Sequence, residues 1–308
     1  MNRKLEQTPI VILLALLCCA LWGSAFPCIK IGYRIFSITS DEINRQILFA
    51  GMRFFLAGCM VILVGSILNK KLLLPKQALS IRSILVLALF QTVMQYLFFY
   101  IGLANTTGSK AAIVTALNVF FSVLISGFIF RFEKVTPRMM IGCLIGLIGI
   151  IIVNLSSGTF DSSIRVNGEG FILISALAYA FSSVLIKIFS KSEDPVCLSG
   201  YQFMVGGLVL MGVGFVLGGR ITITSSNGLL ILFYLALISA VAYTIWGLLL
   251  KYNPVSKVSV FGFTNPMFGV ILSMILLNEQ PNVKKYIVSL LFVCIGIFLV
   301  NYQPKKEK

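Results

Sequence analysis

The residue with the clearest chemical capacity is Arg53, which interrupts an otherwise uncharged hydrophobic segment at about 46–68. An ionisable side chain at membrane depth is costly, so it is expected to face the protein interior or a water-filled cavity. A guanidinium facing such a cavity could hold a substrate carboxylate or phosphate through paired hydrogen bonds. Two alternatives stay open: the side chain extends to the membrane interface, or it bonds to carbonyls of a neighbouring helix.

Amide and aromatic side chains in uncharged segments form the second group of candidates. Buried amides need hydrogen-bond partners, so they are expected to face the interior of a helix bundle. Aromatic residues in the middle of such segments favour the lining of a cavity, with helix packing or an aromatic belt as alternatives. The predicted substrate-binding residues are Arg53, Gln95, Tyr96, Asn118, Tyr243 and Asn265, and the predicted cavity or gate residues are Trp22, Tyr179 and Pro266.

The amino-acid composition argues against catalytic and metal-dependent functions. The chain has no histidine, and Glu133 and Glu279 lie near the ends of hydrophobic segments, where a helix-end or loop-pairing role is favoured over proton transport. The seven cysteines are odd in number and form no CxxC pair, which favours packing over redox or metal binding. We therefore predict no enzymatic activity and no cofactor or metal. A membrane-embedded enzyme and a non-transporting membrane protein are the competing interpretations.

Membrane-spanning helices must position these residues. The chain is 58% hydrophobic and 11% charged. Its uncharged stretches run 9–29, 83–109, 111–130, 139–160, 170–186, 195–219, 221–250, 258–278 and 286–304. With the segment that contains Arg53 they make ten, and about 20 residues suffice for a helix to cross the hydrocarbon core. The predicted fold class is an all-α polytopic membrane protein with ten transmembrane helices, and Gly142-x3-Gly146 and Gly214-x3-Gly218 predict close helix packing.

The distribution of charge predicts the orientation of the chain. Lys and Arg are about twice as frequent in the loops on the side of the N-terminus as on the opposite side. Because cytoplasmic loops carry the excess of positive charge, both termini are predicted to be cytoplasmic, in the plasma membrane. The net charge of +15 is spread over loops on both sides, which argues against nucleic-acid binding.

The chain also contains an internal repeat. Shifts of about 147 to 149 residues align several aromatic and polar positions, among them Tyr96 with Tyr243, Asn118 with Asn265, and Phe54 with Phe203. The predicted halves are 9–154 and 168–302. Because each half has five helices, the second is predicted to be inverted relative to the first, as in many secondary transporters, whose binding site lies near the midplane.

Several segments carry a resemblance to a known family. In the first half they are ALWGSAFPCIKIG at 20–32, RFFLAG at 53–58, YIGLANTTGSKAAIV at 100–114 and FEKVTPRMMIGCLIGLIGIIIV at 132–153. In the second half they are ISALAYAFSSVLIK at 174–187, VAYTIWGLLLKYNPVSKVS at 241–259 and FTNPMFGVILSMILLNEQ at 263–280. By these the chain resembles the EamA-type transporters of the drug/metabolite transporter superfamily over nearly its whole length. The resemblance implies ten transmembrane helices in two inverted five-helix repeats, and the transport of metabolites.

One position departs from the pattern of that family. In that family the fourth helix of each repeat usually carries a proline. The second half has this proline as Pro266, whereas the corresponding position in the first half is Phe120. The first-half helix is therefore expected to be straighter, and this difference weakens any expectation of symmetric gating by the two copies.

The resemblance and the residues together predict an integral membrane transporter of small metabolites that works by alternating access around a central cavity. The isolated Arg53 favours amino acids or related compounds as the substrate, and export is one hypothesis for the direction, with import left open. The expected partners are a small-molecule substrate and the lipid bilayer, with no nucleic acid, and the protein is expected to be a monomer or a homodimer. Proton coupling, exchange and facilitated diffusion stay open.

Overall fold

The structure is a computed structural model that describes residues 2–106, 108–154, 165–222, 225–277 and 283–302. These residues form helices and connecting turns, and no β strand occurs among them. After a short turn at Asn2–Glu6, the helices are α1 Thr8–Ile35, α2 Ile43–Leu68, α3 Ala78–Ala104, α4 Gly108–Leu124, α5 Pro137–Asn154, α6 Val166–Phe189, α7 Pro195–Val216, α8 Ser226–Tyr252, α9 Val255–Leu277 and α10 Val283–Asn301.

The helices have the length and surface of membrane-spanning segments. Within the described residues, eight are long and apolar enough to cross a bilayer, and two shorter apolar helices cover Ile113–Ile129 and Pro137–Ile152. Large apolar side chains such as Leu13, Val216 and Phe298 are exposed on the outside of the bundle, where a bilayer would cover them. The prediction of an all-α polytopic membrane protein is confirmed. The arrangement as ten transmembrane helices in two inverted repeats stays a prediction, as does the division at 9–154 and 168–302.

Two helix pairs, α2 with α7 and α5 with α10, join the two parts of the chain at close range. A Cβ atom added at Gly58 would lie 2.6 Å from the carbonyl oxygen of Gly200, and one added at Gly296 would lie 2.6 Å from that of Gly142. Glycine therefore lets the backbones approach to a distance that any side chain would prevent. We call these two contacts the glycine seams.

The prediction made from the second glycine motif is wrong for one of its two residues. Gly214 packs against the backbone of Asn44 and Leu48, as expected for close helix contact. Gly218 has a φ of 87° and follows the end of α7, where it adopts the left-handed conformation in which glycine avoids steric strain. It therefore terminates α7 instead of packing it.

The remaining helices make contacts that are reciprocal between the two parts. Helix α1 packs on α8 and α9, and α6 packs on α3 and α4. These are the pairs that a two-fold relation between 9–154 and 168–302 would exchange. They enclose the space in which the candidate site lies.

Helices α4 and α9 occupy corresponding places in this pattern but differ in where their irregular turn lies. Helix α4 is α-helical from Gly108 to Leu124 and continues as a π-helical turn. Helix α9 changes to a 3-10 turn at Val260–Phe263 before its α-helix resumes at Thr264, two residues before Pro266. Because proline has no N–H to donate, it is tolerated in the first turn of a helix. Both helices therefore contain an irregular turn, and in α9 that turn precedes the proline.

Candidate functional site

A cavity of about 430 Å³ lies between the two parts of the chain, enclosed by α1, α2, α3, α4, α6, α8 and α9. Eight of the nine residues predicted for the site line it: Trp22, Arg53, Gln95, Tyr96, Asn118, Tyr179, Tyr243 and Asn265. The ninth, Pro266, is absent from the lining and lies in the first turn of the α-helix that resumes at Thr264. The structure brings these residues together, and their part in substrate binding stays a prediction.

Arg53 is buried, with 3% of its surface exposed. Its Nε atom donates to the carbonyl oxygen of Leu235 at 3.1 Å and to the hydroxyl of Ser239 at 2.9 Å, both on α8. The side chain therefore bonds to a neighbouring helix and also lines the cavity, and it does not extend to the membrane interface. Neither terminal nitrogen of the guanidinium donates a hydrogen bond to a described residue.

Aromatic side chains form part of the cavity wall and of the packing against it. The hydroxyls of Tyr96 and Tyr243 lie 2.8 Å apart and share a hydrogen bond. The ring of Trp22 meets that of Tyr243 edge to face, with centroids 4.9 Å apart, and the rings of Phe54 and Phe203 stack at 5.3 Å. Two of these pairs consist of positions aligned by the repeat, so equivalent residues meet at the centre of the molecule.

Several polar atoms that line the cavity have no hydrogen-bond partner in the described structure. They include Nε1 of Trp22, Oε1 of Gln95, Oδ1 of Asn265 and the hydroxyls of Thr115 and Ser259. Because a buried polar group without a partner costs free energy, these atoms are available to a ligand or to water. No described part of the chain brings three or more acidic or cysteine side chains together as a metal site.

Thr115 and Ser259 were not among the predicted site residues. Small hydroxyl residues are common in transmembrane helices, where they often bond to their own backbone, so their type alone gives no signal. For Thr115 the spacing to Asn118 does give a signal, because residues three apart share one face of a helix.

The two ends of the cavity differ. At one end, where α1 finishes, the cavity reaches the surface beside Phe26 and Lys30, both exposed. We call this the open end. At the other, where α8 finishes and α9 begins, buried side chains fill the bundle, among them Trp246, Leu250 and Val258. We call this the closed end.

A carboxylate joins α4 to α9 at the closed end. Glu133 accepts hydrogen bonds from the hydroxyl of Ser126 at 2.5 Å and from the backbone N–H of Ser256 at 3.2 Å, and also from the Ser256 hydroxyl. Ser256 lies in the first turn of α9, whose unpaired N–H groups and dipole favour a negative group. Glu133 therefore has the helix-end pairing role predicted for it. Glu279, its counterpart in the second half, lies outside the described residues.

A lysine completes the same end. The Nζ atom of Lys187 donates to the carbonyl oxygens of Leu250, at 3.1 Å, and Asn253, at the end of α8. A cation is favourable at the C-terminal end of a helix. Lys187 and Glu133 thus hold the turn between α8 and α9 from both sides, each with the charge that suits the helix end it meets.

A second carboxylate crosses between the two parts of the chain nearby. Glu193, between α6 and α7, accepts hydrogen bonds of 2.8 Å from the backbone N–H groups of Lys76 and Asp194. Burial alone would raise the pKa of the Glu193 carboxyl, but these donors outweigh it and the pKa lies below its ordinary value. The two carboxylates at the closed end therefore bond across the two parts of the chain, Glu133 to the backbone of Ser256 and Glu193 to that of Lys76.

Comparison with known proteins shows which family and which proteins this chain is similar to. The EamA-like transporter family matches residues 9–155 and 166–302. A chloroplastic WAT1-related protein of Arabidopsis thaliana is 26% identical over 290 residues, which cover 91% of this chain and 67% of that one. The uncharacterized transporter YvbV of Bacillus subtilis is 26% identical over 310 residues, covering 99% of this chain and 96% of that one.

A solved crystal structure shares the fold. It superimposes with a TM-score of 0.78 at 17% sequence identity, over 94% of this chain and 96% of the other. The family match spans almost the whole chain in two copies, and the helices have the length and polarity of membrane spans. The chain therefore belongs to the EamA-like transporter family of multi-pass membrane proteins.

Proposed function

We propose that this protein exports amino acids or related carboxylate-bearing metabolites across the plasma membrane by alternating access. Membership of the family supports transport, and one observation supports the choice of substrate. Arg53 is buried in a cavity of about 430 Å³ with its Nε atom engaged by the protein, while its two terminal nitrogens have no acceptor among the described residues. A carboxylate is the group whose geometry matches that pair of donors.

The rest of the cavity suits the remainder of such a substrate. Gln95, Asn118 and Asn265 offer amide groups, and Trp22 and Tyr179 offer aromatic surface. The volume lies within the range of about 300–1,000 Å³ that is usual for small-molecule sites, which are mostly apolar with a few placed polar groups. In this proposal the guanidinium binds the carboxylate of the substrate, and the amides orient its amino group or a polar side chain. The aromatic side chains bind the apolar parts of the substrate.

The proposed transport cycle uses the two parts as inverted repeats of five transmembrane helices, 9–154 and 168–302. The reciprocal contacts of α1 with α8 and α9, and of α6 with α3 and α4, support this relation. With both termini in the cytoplasm, the closed end faces the cytoplasm and the cavity opens outward. To load substrate from the cytoplasm, α4 and α9 separate at the Glu133–Ser256 contact while the open end closes. The protein works as a monomer or a homodimer.

Flux measurements test the proposal. Purified protein in liposomes is assayed for exchange of labelled amino acids, with and without a pH gradient. Replacing Arg53 by Gln should reduce flux at least about thirtyfold, because removing one partner of a desolvated charge pair costs about 2–5 kcal/mol. Arg82→Gln, at an exposed arginine in the first turns of α3, is the matched control and should leave flux unchanged.

Two outcomes would contradict the proposal in different ways. Flux by the Arg53→Gln protein equal to that of the Arg82→Gln protein would remove Arg53 from substrate binding. Liposomes that exchange none of the amino acids, with a folded protein that shows no thermal shift in their presence, would remove the substrate class.

A further inference from the structure

A second and larger cavity, of about 750 Å³, lies on the outside of the bundle, between α1, α9 and α10. Its floor is formed by α9, with Phe261, Met267 and Phe268, and its rim by exposed apolar side chains such as Ile12 and Phe298. The rim residues belong to spans that a bilayer surrounds. The groove therefore opens sideways to lipid, away from the cavity between the two parts of the chain.

Four polar residues of this groove lie together at one end. Thr8 begins α1, Lys257 lies in the first turn of α9, and Asn301 and Tyr302 finish α10. These three helix ends lie at the same face of the molecule. The rest of the lining is apolar apart from Cys294, Thr264 and Tyr286, and the hydroxyls of the last two donate to backbone carbonyl oxygens of α9. A groove that is polar at membrane-surface level and apolar below it has the polarity of a phospholipid.

The charge at the polar end is positive. The Nζ atom of Lys257 lies 3.4 Å from the carbonyl oxygen of Glu6 and 3.5 Å from the hydroxyl of Thr8, at the top of the groove. The guanidinium of Arg138 lies over the ring of Tyr302, 4.8 Å from its centroid. The carboxyl of Glu6 lies close enough to act on the charge of Lys257, and that of Glu133 bonds to the neighbouring Ser256. Lys257 thus places a cation in the groove, and Arg138 places a second one beside Tyr302. Basic side chains at membrane-surface level favour an anionic headgroup.

One polar atom at this end indicates a hydrogen-bond donor in the ligand. Asn301 donates its Nδ2 to the carbonyl oxygen of Ile297 at 3.1 Å, whereas its Oδ1 is buried and has no partner in the described structure. An amide oxygen accepts hydrogen bonds and cannot donate them. A phosphate oxygen therefore cannot satisfy it, but a hydroxyl of a glycerol headgroup can.

We propose that this groove binds one anionic phospholipid with a glycerol headgroup, its phosphate beside Lys257, a headgroup hydroxyl on Asn301 and an acyl chain along Phe261, Met267 and Leu290. The site depends on membrane embedding and not on the proposed transport of carboxylates. Its floor, α9, turns its opposite face to the central cavity through Ser259, Gly262 and Asn265. A bound lipid would therefore contact the irregular segment Val260–Phe263 on the side that faces away from the central cavity.

Native mass spectrometry of the full chain in detergent tests this, with phosphatidylglycerol and phosphatidylcholine of identical acyl chains as the probes. The wild-type protein should retain one phosphatidylglycerol in preference to phosphatidylcholine. Lys257→Gln should lower the apparent affinity for phosphatidylglycerol about fivefold, the effect of one basic residue near the headgroup. The control is Lys191→Gln, an exposed lysine at the same end of the molecule, which should bind as the wild type does.

A second pair of variants tests the groove itself. Leu290→Trp fills the groove and should abolish retention of both lipids, whereas Leu291→Trp, at the adjacent exposed position outside the lining, should not. Equal retention by the two tryptophan variants would overturn the site and leave only unspecific lipid around the bundle. Equal affinity of the Lys257→Gln and wild-type proteins for phosphatidylglycerol would overturn the headgroup assignment. Neither outcome depends on whether the protein transports amino acids.

Discussion

A Cβ atom added at Gly58, in the seam between α2 and α7, would lie 2.6 Å from a backbone oxygen of the opposite helix, whereas the helices around the central cavity leave about 430 Å³ unfilled. The seams are made by backbone against backbone. The cavity walls meet through side chains, such as the hydroxyl pair of Tyr96 and Tyr243 and the Glu133 carboxylate on α9. The same chain thus uses two kinds of contact between its parts.

The difference indicates which contacts can change. Backbones in direct contact have few alternative arrangements, because a densely packed protein interior does not deform gradually. Hydrogen bonds at helix ends can be broken singly and replaced by water. In the proposed cycle the glycine seams therefore hold the two parts together, while the contacts around the cavity are exchanged.

The largest effect is expected in a seam. Gly58→Leu should prevent α2 and α7 from packing, because the added side chain meets backbone that cannot move aside. Overpacking typically costs about 1–3 kcal/mol, and more where the backbone must shift. We expect a large loss of folded protein, measured as the yield of monodisperse protein and its thermal unfolding in detergent.

Helix α7 supplies the matched control for this change. Gly212 has no atom within 4 Å of an added Cβ and is exposed on the outside of the bundle, so Gly212→Leu should fold normally. If Gly58→Leu unfolds at the same temperature as Gly212→Leu, the seam is not the rigid element and the comparison with the cavity fails.

The sequence predicted much of the site because polar residues in apolar segments have few acceptable places. Arg53, Gln95 and Asn118 could not face lipid without a large cost, so an interior position followed from physical chemistry. The internal repeat indicated that Tyr96 and Tyr243 are equivalent, but not that their hydroxyls meet. Whether equivalent residues touch depends on where the axis between the two parts passes, and no local pattern records that.

Other features depended on tertiary geometry that the sequence does not express. Glu133 was predicted to pair at a helix end, but its partner Ser256 lies 123 residues away. Gly218 satisfied a packing motif, yet it follows the last turn of α7, where φ is positive and a Cβ atom added to it would lie 3.9 Å from the side chain of Asn44, an ordinary contact distance. The spacing of two glycines predicts a shared face on a helix, but it does not predict where that helix ends.

An intermediate effect is expected where Glu133 meets α9. Glu133→Ala leaves the backbone N–H of Ser256 without its acceptor, and a hydrogen bond to a charged group contributes about 1.5–3 kcal/mol. Amide hydrogen exchange at the start of α9, Val255–Ser259, should therefore be at least about tenfold faster, while exchange in α2 and α7 stays unchanged. Hydrogen–deuterium exchange with mass spectrometry on the detergent-solubilised protein measures both regions.

Glu42 provides the control for this variant. It accepts from the N–H of Thr39 at 2.9 Å and pairs with Arg45 at the opposite end of the molecule. Glu42→Ala should leave exchange in α9 as it is in the wild type. Faster exchange spread evenly over the seams and α9 in Glu133→Ala would show that the two kinds of contact are not separate.

The smallest effect is expected at the centre of the cavity, where Tyr96 and Tyr243 share a single hydrogen bond of 2.8 Å. Tyr96→Phe and Tyr243→Phe should each lower the free energy of unfolding by about 1 kcal/mol, the usual net contribution of one hydrogen bond. Both remove the same bond, so the double variant should lose no more than either single one, giving a coupling energy of about 1 kcal/mol in a double-mutant cycle. Losses that add in the double variant would mean that each hydroxyl is held by other groups or by water. The two parts of the chain would then not be joined across the cavity by this pair, and the contrast with the seams would rest on Glu133 and the other helix-end contacts alone.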